Sequence, residues 1–306
     1  MNVLSLFDGI SCGRVALDRQ GLEVKSYIAY EIDKYAIKIS EKNYPTIIHK
    51  GDVCDCKEFM DIDLLIGGSP CTDLSIAKQN RQGLEGERSK LFWEYVRILK
   101  LMKPKWFILE NVFSMKKQDR DIITKELGVE SIMINASLVS AQNRKRLFWT
   151  NIPVKGLPED KNIILKDILQ PNSEVDERMI TKEGKAYCLT ANYDKAIESN
   201  SVNKKQRTMV IGYFGGKNLG IGGQASRIYD ISNKSPTLST NSGPYIMMNK
   251  DIKKIIRKLT PVECERLQGL PDNYTENIST TQRYKCLGNA FNVDVVAFIL
   301  SFIPKN

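Results

Sequence analysis

The chain has 306 residues, 42% of them apolar, which excludes a disordered or fibrous protein and allows a substantial core in one large domain or two smaller ones. Lysine and arginine number 45 against 36 acidic residues, a formal net charge of +9, and a single histidine, His49, excludes Ser-His-Asp triads and paired-histidine zinc sites. Seven cysteines without a CxxC pair indicate neither a disulfide framework nor a zinc knuckle.

The N-terminus lacks a basic start followed by a long apolar stretch, and no apolar run reaches bilayer length. The expectation is a soluble cytoplasmic protein with reduced thiols.

From residue 1 to about 150, short apolar runs alternate with amphipathic stretches. Val3-Phe7, Val24-Tyr30, Asp63-Ile66 and Trp106-Leu109 read as strands, with helical patterns near 12–20, 33–42, 89–102 and 118–127. The runs lack in/out alternation, as strands covered on both faces do, so the pattern predicts an α/β fold with a doubly wound, mostly parallel sheet. Ligands of such sheets lie at the carboxyl ends of the strands. Phe7-Asp8-Gly9-Ile10-Ser11-Cys12-Gly13 forms a glycine turn at the first of these ends, Glu31 closes the second strand, and Asp52 follows the third. Three strand ends thus point at one nucleoside-like ligand, although a glycine turn is also an ordinary βα connection and departs from GxGxxG.

Gly67-Gly68-Ser69-Pro70-Cys71-Thr72-Asp73 ends the next strand and presents a thiol on a turn stiffened by proline. That is the setting of a nucleophile whose thiolate is favoured by a nearby helix N-terminus or arginine, and a buried structural cysteine is the plain alternative. Glu110-Asn111-Val112 closes Trp106-Leu109 beside that turn. In Gln142-Asn143-Arg144-Lys145-Arg146 the two arginines fall on one side of an extended segment, an arrangement suited to clamping an anion or carbonyl.

After Asn151-Ile152-Pro153 the texture changes. Between Thr181 and Lys258 the chain is rich in Gly, Ser and Asn, regular helices look scarce, and 14 basic residues face 5 acidic ones, so the whole net charge resides there. With Tyr193, Tyr213, Phe214, Tyr229 and Tyr245 interspersed, this is either a nucleic-acid surface or a solvated basic face. Order returns near the C-terminus, where Thr260-Pro261-Val262-Glu263 starts one helix and Phe291-Ile303 forms an apolar second. The expected division is 1–154, 155–255, and 256–306 returning to the first part.

Taken together, FDGISCG, YEID, GDV, GGSPCTDLS, ENV, QNRKR, RKLTPVECERLQGLP and GNAFNV resemble, in order and rough spacing, the motifs of the DNA (cytosine-5)-methyltransferases. The resemblance spans about 1–151 and 235–303, and the FDGI, SPC and LFWEY segments are similar to those of the animal de novo enzymes, without their reader domains. It implies the S-adenosylmethionine-dependent Rossmann-like fold with a smaller, irregular target-recognition domain at 155–255. The implied catalytic set is Cys71 as the nucleophile toward carbon 6 of a flipped cytosine, Glu110 on ring nitrogen 3 and the exocyclic amine, and Arg144 on the base carbonyl, with Arg146 beside it.

For the cofactor, S-adenosylmethionine leaving as S-adenosylhomocysteine, the resemblance implies Phe7, Asp8, Gly9, Ile10 and Gly13 at the adenine and methionine moieties, and Glu31 on the ribose. Ile32 and Val53 flank the adenine, Asp52 meets its amine, and Pro70, Leu91, Asn289 and Ala290 complete the pocket. No metal is implied. The partners implied are double-stranded DNA and a separately acting restriction endonuclease, with the enzyme a monomer of bacterial or phage origin and no membrane contact.

Ser11-Cys12 stands where many members carry two glycines, Thr72 replaces a common glutamine, and Ala290 replaces a serine, which bears on cofactor affinity. Rival readings are a transfer-RNA cytosine methyltransferase of the same fold, whose Cys-Phe-Thr motif the chain lacks, a silent DNA-binding paralogue, and a nicotinamide-dependent oxidoreductase, which leaves the SPC turn unexplained.

Overall fold

The computed structural model describes residues 1–57, 59–69, 91–171, 173–214, 246–247 and 253–304. In chain order the first half comprises β1 (Asn2–Leu6), α1 (Cys12–Arg19), β2 (Ser26–Tyr30), α2 (Lys34–Asn43), β3 (Ile48–His49), β4 (Leu64–Gly67), α3 (Leu91–Met102), β5 (Trp106–Val112), α4 (Lys117–Leu127), β6 (Ser131–Asn135), β7 (Gln142–Asn143) and β8 (Lys145–Thr150). Seven of these strands form one sheet in the order β3-β2-β1-β4-β5-β8-β6. Pairing is parallel from β3 to β5, and β8 runs antiparallel to both β5 and β6.

Both faces of this sheet are covered, which is why its strands read as continuous apolar runs. Val3 packs with Ile10, Ala16, Leu17 and Ile66 on one face, whereas the adjacent Leu4 and Leu6 pack with Leu65, Phe92, Tyr95 and Trp149 on the other. With strands of period two, burying both sets requires helices on both sides. The boundaries follow local chemistry: Asp33 caps α2 by accepting from Tyr35 N at 2.9 Å, and Gly128 ends α4 with φ near +69°. The predicted strands and helices of this half agree with the observed ones to within a few residues. Strand β5 runs on to Val112, so Glu110 lies within the ladder instead of closing it.

The second half continues with α5 (Leu165–Ile168), β9 (Ser173–Val175), β10 (Ala186–Tyr187), α6 (Glu198–Lys204), β11 (Met209–Phe214), β12 (Ile246–Met247), β13 (Lys253–Lys258), α7 (Pro261–Leu267), α8 (Thr280–Asn289) and α9 (Val293–Leu300). An antiparallel sheet of order β12-β13-β11-β9 lies here, and β10 pairs in parallel with β7. Helix α9 packs on α1, where Arg19 binds Asp294 at 2.8 Å and the Gly269 carbonyl at 2.6 Å. No helix among the described residues is long and apolar enough to cross a membrane.

Helix α7 starts as the Thr-Pro-x-Glu pattern predicts. Thr260 Oγ1 accepts from Glu263 N at 3.2 Å, while the Glu263 carboxylate accepts from Thr260 N at 2.8 Å. The same fully buried carboxylate takes both η nitrogens of Arg257 at 2.7 Å and Gln170 N at 2.9 Å. Removing one partner of such a buried, hydrogen-bonded pair strands the other charge, at a cost of about 3–5 kcal/mol. Glu263→Ala is therefore expected to lower unfolding stability by about that much in urea titration; a loss below about 1 kcal/mol, the level of an exposed pair, would show that water replaces the carboxylate.

Candidate active site

The turn after β1 is built on unusual backbone. Phe7, Gly9 and Ser11 all have φ near +60°, a region that only glycine enters without strain. The turn is held from two sides. Asp8, buried, accepts from Tyr27 Oη at 2.8 Å and Ser11 Oγ at 2.5 Å, and Tyr274 Oη reaches the Ile10 carbonyl at 2.8 Å. Burial pushes the Asp8 carboxyl above its ordinary range, against the lowering effect of these hydroxyls. From β2, Glu31 accepts from Gly9 N, Ile32 N and Asp33 N, each at 2.8 Å.

The glycine turn and the second strand end are thus joined through one carboxylate. Gly13, at the start of α1, is buried so closely that a Cβ there would stand 3.1 Å from Ile66 Cδ1 and from Tyr27 Oη. Ile32, directly after Glu31, is 74% exposed, an apolar side chain presented to solvent beside a carboxylate. Asp52 caps a short 3-10 turn by accepting from Cys54 N at 2.9 Å, and Val53 behind it is buried. Phe7 and Leu91 are half-buried, Asn289 is exposed and Ala290 buried. This donor set fits a nucleoside: exposed apolar surface, carboxylates at two strand ends, and a turn whose backbone a ligand can approach.

Two of the expected contact residues have inward-facing side chains. The side chains of Asp8 and Ile10 turn inward, the first onto hydroxyls and the second into the core, so they brace the turn from behind. Pro70 and Cys71 lie outside the described residues, as do Thr72, Asp73, Tyr229 and Tyr245.

The other end of the site arises from register. Glu110 of β5 opposes Phe148 of β8, so Arg146, two residues away on β8, is its diagonal neighbour on the same face. Long side chains span that diagonal, and Arg146 Nε meets Glu110 Oε1 at 2.8 Å, both largely buried. Ile134, Phe148, Phe291 and Asn292 line the cleft around this pair, together with Arg144. Gly68 borders it: a Cβ there would stand 2.7 Å from the Phe291 ring and 3.3 Å from Glu110 Oε2. The small residues before Cys71 therefore pass directly beside the carboxylate. Asn111, next to Glu110, donates to Ser69 Oγ at 3.3 Å and ties that stretch down.

A family model for C-5 cytosine-specific DNA methylases matches residues 1–305. The chain belongs to the C-5 cytosine-specific DNA methylases. It is 29% identical to the type II methyltransferase M.HhaI of Haemophilus parahaemolyticus, over 98% of this chain and 93% of that enzyme. It is 30% identical to the type II methyltransferase M1.ScrFI of Lactococcus lactis subsp. cremoris, over 96% of this chain and 75% of that one. Among solved structures, the Entamoeba histolytica methyltransferase EhMeth superposes with a TM-score of 0.65 at 18% identity, covering 99% of this chain and 97% of that one. S. pombe Dnmt2 gives 0.59 at 16% identity, over 98% and 97%. The likeness to these structures is one of fold. The activity is DNA cytosine-5 methylation, and S-adenosylmethionine use comes with the family and its fold.

Within this methylase the two arginines differ more than their sequence spacing suggests. Arg144 is almost wholly buried, with Nη1 on the Leu189 carbonyl at 3.0 Å and Cys188 Sγ at 3.4 Å, and Nη2 on the carbonyls of Ala290 at 2.9 Å and Gly288 at 3.3 Å. Its η nitrogens are therefore committed to protein acceptors, and the base-carbonyl contact expected of it is corrected on that ground. Of the two, Arg146 is the arginine at the Glu110 carboxylate.

Two site residues escaped the sequence reading. Cys188, in Cys188-Leu189-Thr190, contacts both arginines, and its segment differs from the Cys-Phe-Thr motif of the RNA-modifying branch at the middle residue. Gly288 packs so tightly on the segment after β10 that a Cβ would overlap the backbone of Thr190 and Ala191. Only the absence of a side chain lets α8 approach, and nothing short of the fold shows which backbone it meets. Gly288→Ala should push the Ala290 and Gly288 carbonyls away from Arg144 and depress both melting temperature and methylation, whereas Gly128→Asn, at an open helix terminus, should leave both nearly unchanged; equal thermal and activity profiles for the two variants would contradict the packing argument.

Proposed function

We propose that this methylase modifies carbon 5 of a flipped cytosine in one short DNA sequence, with S-adenosylmethionine as donor and Cys71 as the attacking group. The observation that carries this reading is the Glu110–Arg146 pair, set by strand register beside the stretch that leads to Cys71. Carbon 5 of cytosine is a weak nucleophile, and addition of a thiolate to carbon 6 makes it electron-rich. Cys71 Sγ forms the bond to carbon 6, and negative charge spreads into the ring toward nitrogen 3. Glu110, facing nitrogen 3 and the exocyclic amine, stabilises the ring form that accepts this charge. Arg146 takes the base carbonyl and, paired with Glu110, holds base and carboxylate in one orientation.

Residues of the first turn with Glu31, Ile32 and Asp52 hold the donor, which when bound supplies an electrophilic methyl group. Loss of the carbon-5 proton then returns the electrons to the ring, the sulfur–carbon 6 bond breaks, and Cys71 is regenerated. Extracting the base from the duplex costs a few kcal/mol, and the basic 155–255 segment supplies the phosphate and groove contacts that offset it. A second reading takes an RNA cytosine as substrate for the same catalytic residues.

The test is bisulfite sequencing of both genome and RNA from a methylation-free bacterial strain expressing either this chain or Cys71→Ala. Protected cytosines within one short DNA motif, absent with Cys71→Ala, are the expected result. Protection confined to RNA would establish the second reading, and protection that survives Cys71→Ala would refute the nucleophile. Cofactor binding is tested separately: S-adenosylhomocysteine at 100 times its Kd should stabilise the fold by about 2.7 kcal/mol, and NAD should not. Glu31→Gln, which leaves the three backbone donors sharing one carbonyl oxygen, should weaken that stabilisation, and an unchanged melting shift would place the ribose elsewhere.

A further inference from the structure

Cys188 enters the cleft from outside the main sheet. The β10–β7 ladder sets Ala186 opposite Gln142 and Tyr187 opposite Asn143, and continuing the register brings Cys188 opposite Arg144. Its sulfur lies 3.4 Å from Arg144 Nη1 and 3.9 Å from Arg146 Nη2. These two contacts are not equivalent. Arg144 is anchored by three backbone carbonyls, so it fixes the sulfur, whereas Arg146 is held by groups at each of its nitrogens: Nε by Glu110, Nη1 by the adjacent Lys145 carbonyl, and Nη2 by Cys188. Lys145 is Arg146's own chain neighbour. Cys188 belongs to the recognition segment.

We propose that Cys188 is a positioning residue: its sulfur, fixed by Arg144, aligns the Arg146 guanidinium on Glu110 and links the recognition segment to the carboxylate that faces the base. The inference rests on the reading of Glu110 and Arg146 given above. A neutral thiol is a weak acceptor, but a thiolate between two guanidinium groups is a strong one. Burial raises the Cys188 thiol, yet Arg144 and Arg146 outweigh it and leave the group below its ordinary value. The other cysteines of the described residues show the contrast: Cys12, Cys54, Cys56, Cys264 and Cys286 are all pushed up, foremost by burial. The charged groups that bear on the sulfur are Arg144 and Arg146, with Glu110 beyond the latter, and the thiol donates to the Leu189 carbonyl at 3.4 Å; loss of that proton adds negative charge to a cluster that is otherwise one cation in excess.

The test compares wild type with Cys188→Ala, Cys188→Ser and Cys188→Asp at saturating DNA and cofactor. Misplacing a reacting group by about 1 Å costs on the order of 100-fold, so kcat for Cys188→Ala should fall by about 10- to 100-fold. KM for DNA should stay within about threefold, because the loss belongs to the chemical step. Cys188→Asp, which restores an anionic acceptor, should recover most of the rate, and Cys188→Ser should not.

A second readout is independent of activity. The ultraviolet thiolate absorbance of wild type minus Cys188→Ser should titrate below the ~8.5 of free cysteine, and Arg146→Ala should move that midpoint upward. The proposal is overturned by a Cys188→Ala enzyme with wild-type kcat, or by a thiolate midpoint that Arg146→Ala does not move. If Cys188→Ala fails to fold, Cys188→Ser takes its place in the rate comparison. A wild type inactive on DNA and RNA alike would remove the functional reading, while the absorbance titration would still decide whether Cys188 and Arg146 are coupled.

Discussion

A buried guanidinium without a carboxylate is the constraint on which the site depends. Arg144 is 3% exposed, and burial together with the neighbouring Arg146 lowers its pKa. Its Nε is buried without a hydrogen-bond partner, so the cation persists in the fold only if its η nitrogens find strong acceptors, because desolvation is otherwise large on the scale of the whole protein's stability. It finds them in backbone carbonyls of two distant segments, Leu189 on one side and Gly288 and Ala290 on the other. These segments lie 45, 144 and 146 residues away along the chain. The segment after β10 and the stretch after α8 are consequently brought to the start of β8, at one end of the sheet, by one side chain.

A second hub beside it serves the same end with neutral groups. The Leu267 carbonyl, at the end of α7, accepts from Ser140 Oγ at 2.6 Å, Asn292 Nδ2 at 3.0 Å and Gln142 Nε2 at 3.2 Å. Gln142 Oε1 in turn accepts from Leu189 N at 3.1 Å, and Gln268 Nε2 donates to the Leu287 carbonyl at 2.7 Å. All these side chains are buried, and a buried polar network is worth its desolvation only when its members are satisfied together. Gln142 in QNRKR and Asn292 in GNAFNV therefore act as architecture. They close the chain's second half onto the strand that carries Arg146.

How much of this was legible in the sequence depended on whether a signal was local. Helix and strand positions in the first half followed from apolar runs, and the start of α7 from Thr260-Pro261-Val262-Glu263, because hydrophobic period and capping act over a few residues. Glu31 was found as a strand-end carboxylate, but its three backbone partners were not, since they depend on how a turn with positive φ at Phe7, Gly9 and Ser11 curls back over β2. The likeness of Arg144 and Arg146 in sequence concealed their difference. Both fall on one side of an extended segment, as expected, and only the register of β8 on β5 decides which one meets Glu110. Cys188 was invisible for a similar reason: the parallel ladder that delivers it joins two-residue strands separated by 42 positions, too short to leave a pattern.

Dividing labour between alternating arginines also solves a problem that one arginine could not. An arginine locked onto backbone carbonyls cannot also reach the Glu110 carboxylate, so Arg144 takes the first position through its η nitrogens and Arg146 the second through its Nε. Arg144 spends its η nitrogens on carbonyls and so becomes rigid. Arg146, two residues on, inherits that rigidity through the strand and through the shared sulfur of Cys188, with its Nε set on Glu110. A shift of the segment after β10 moves Cys188 and the Leu189 carbonyl together, and both bear on the stretch that carries Arg144 and Arg146. The segment after β10 and the Glu110 carboxylate are thereby connected through a few hydrogen bonds at one end of the sheet, with no need for a large rearrangement of the core beneath them.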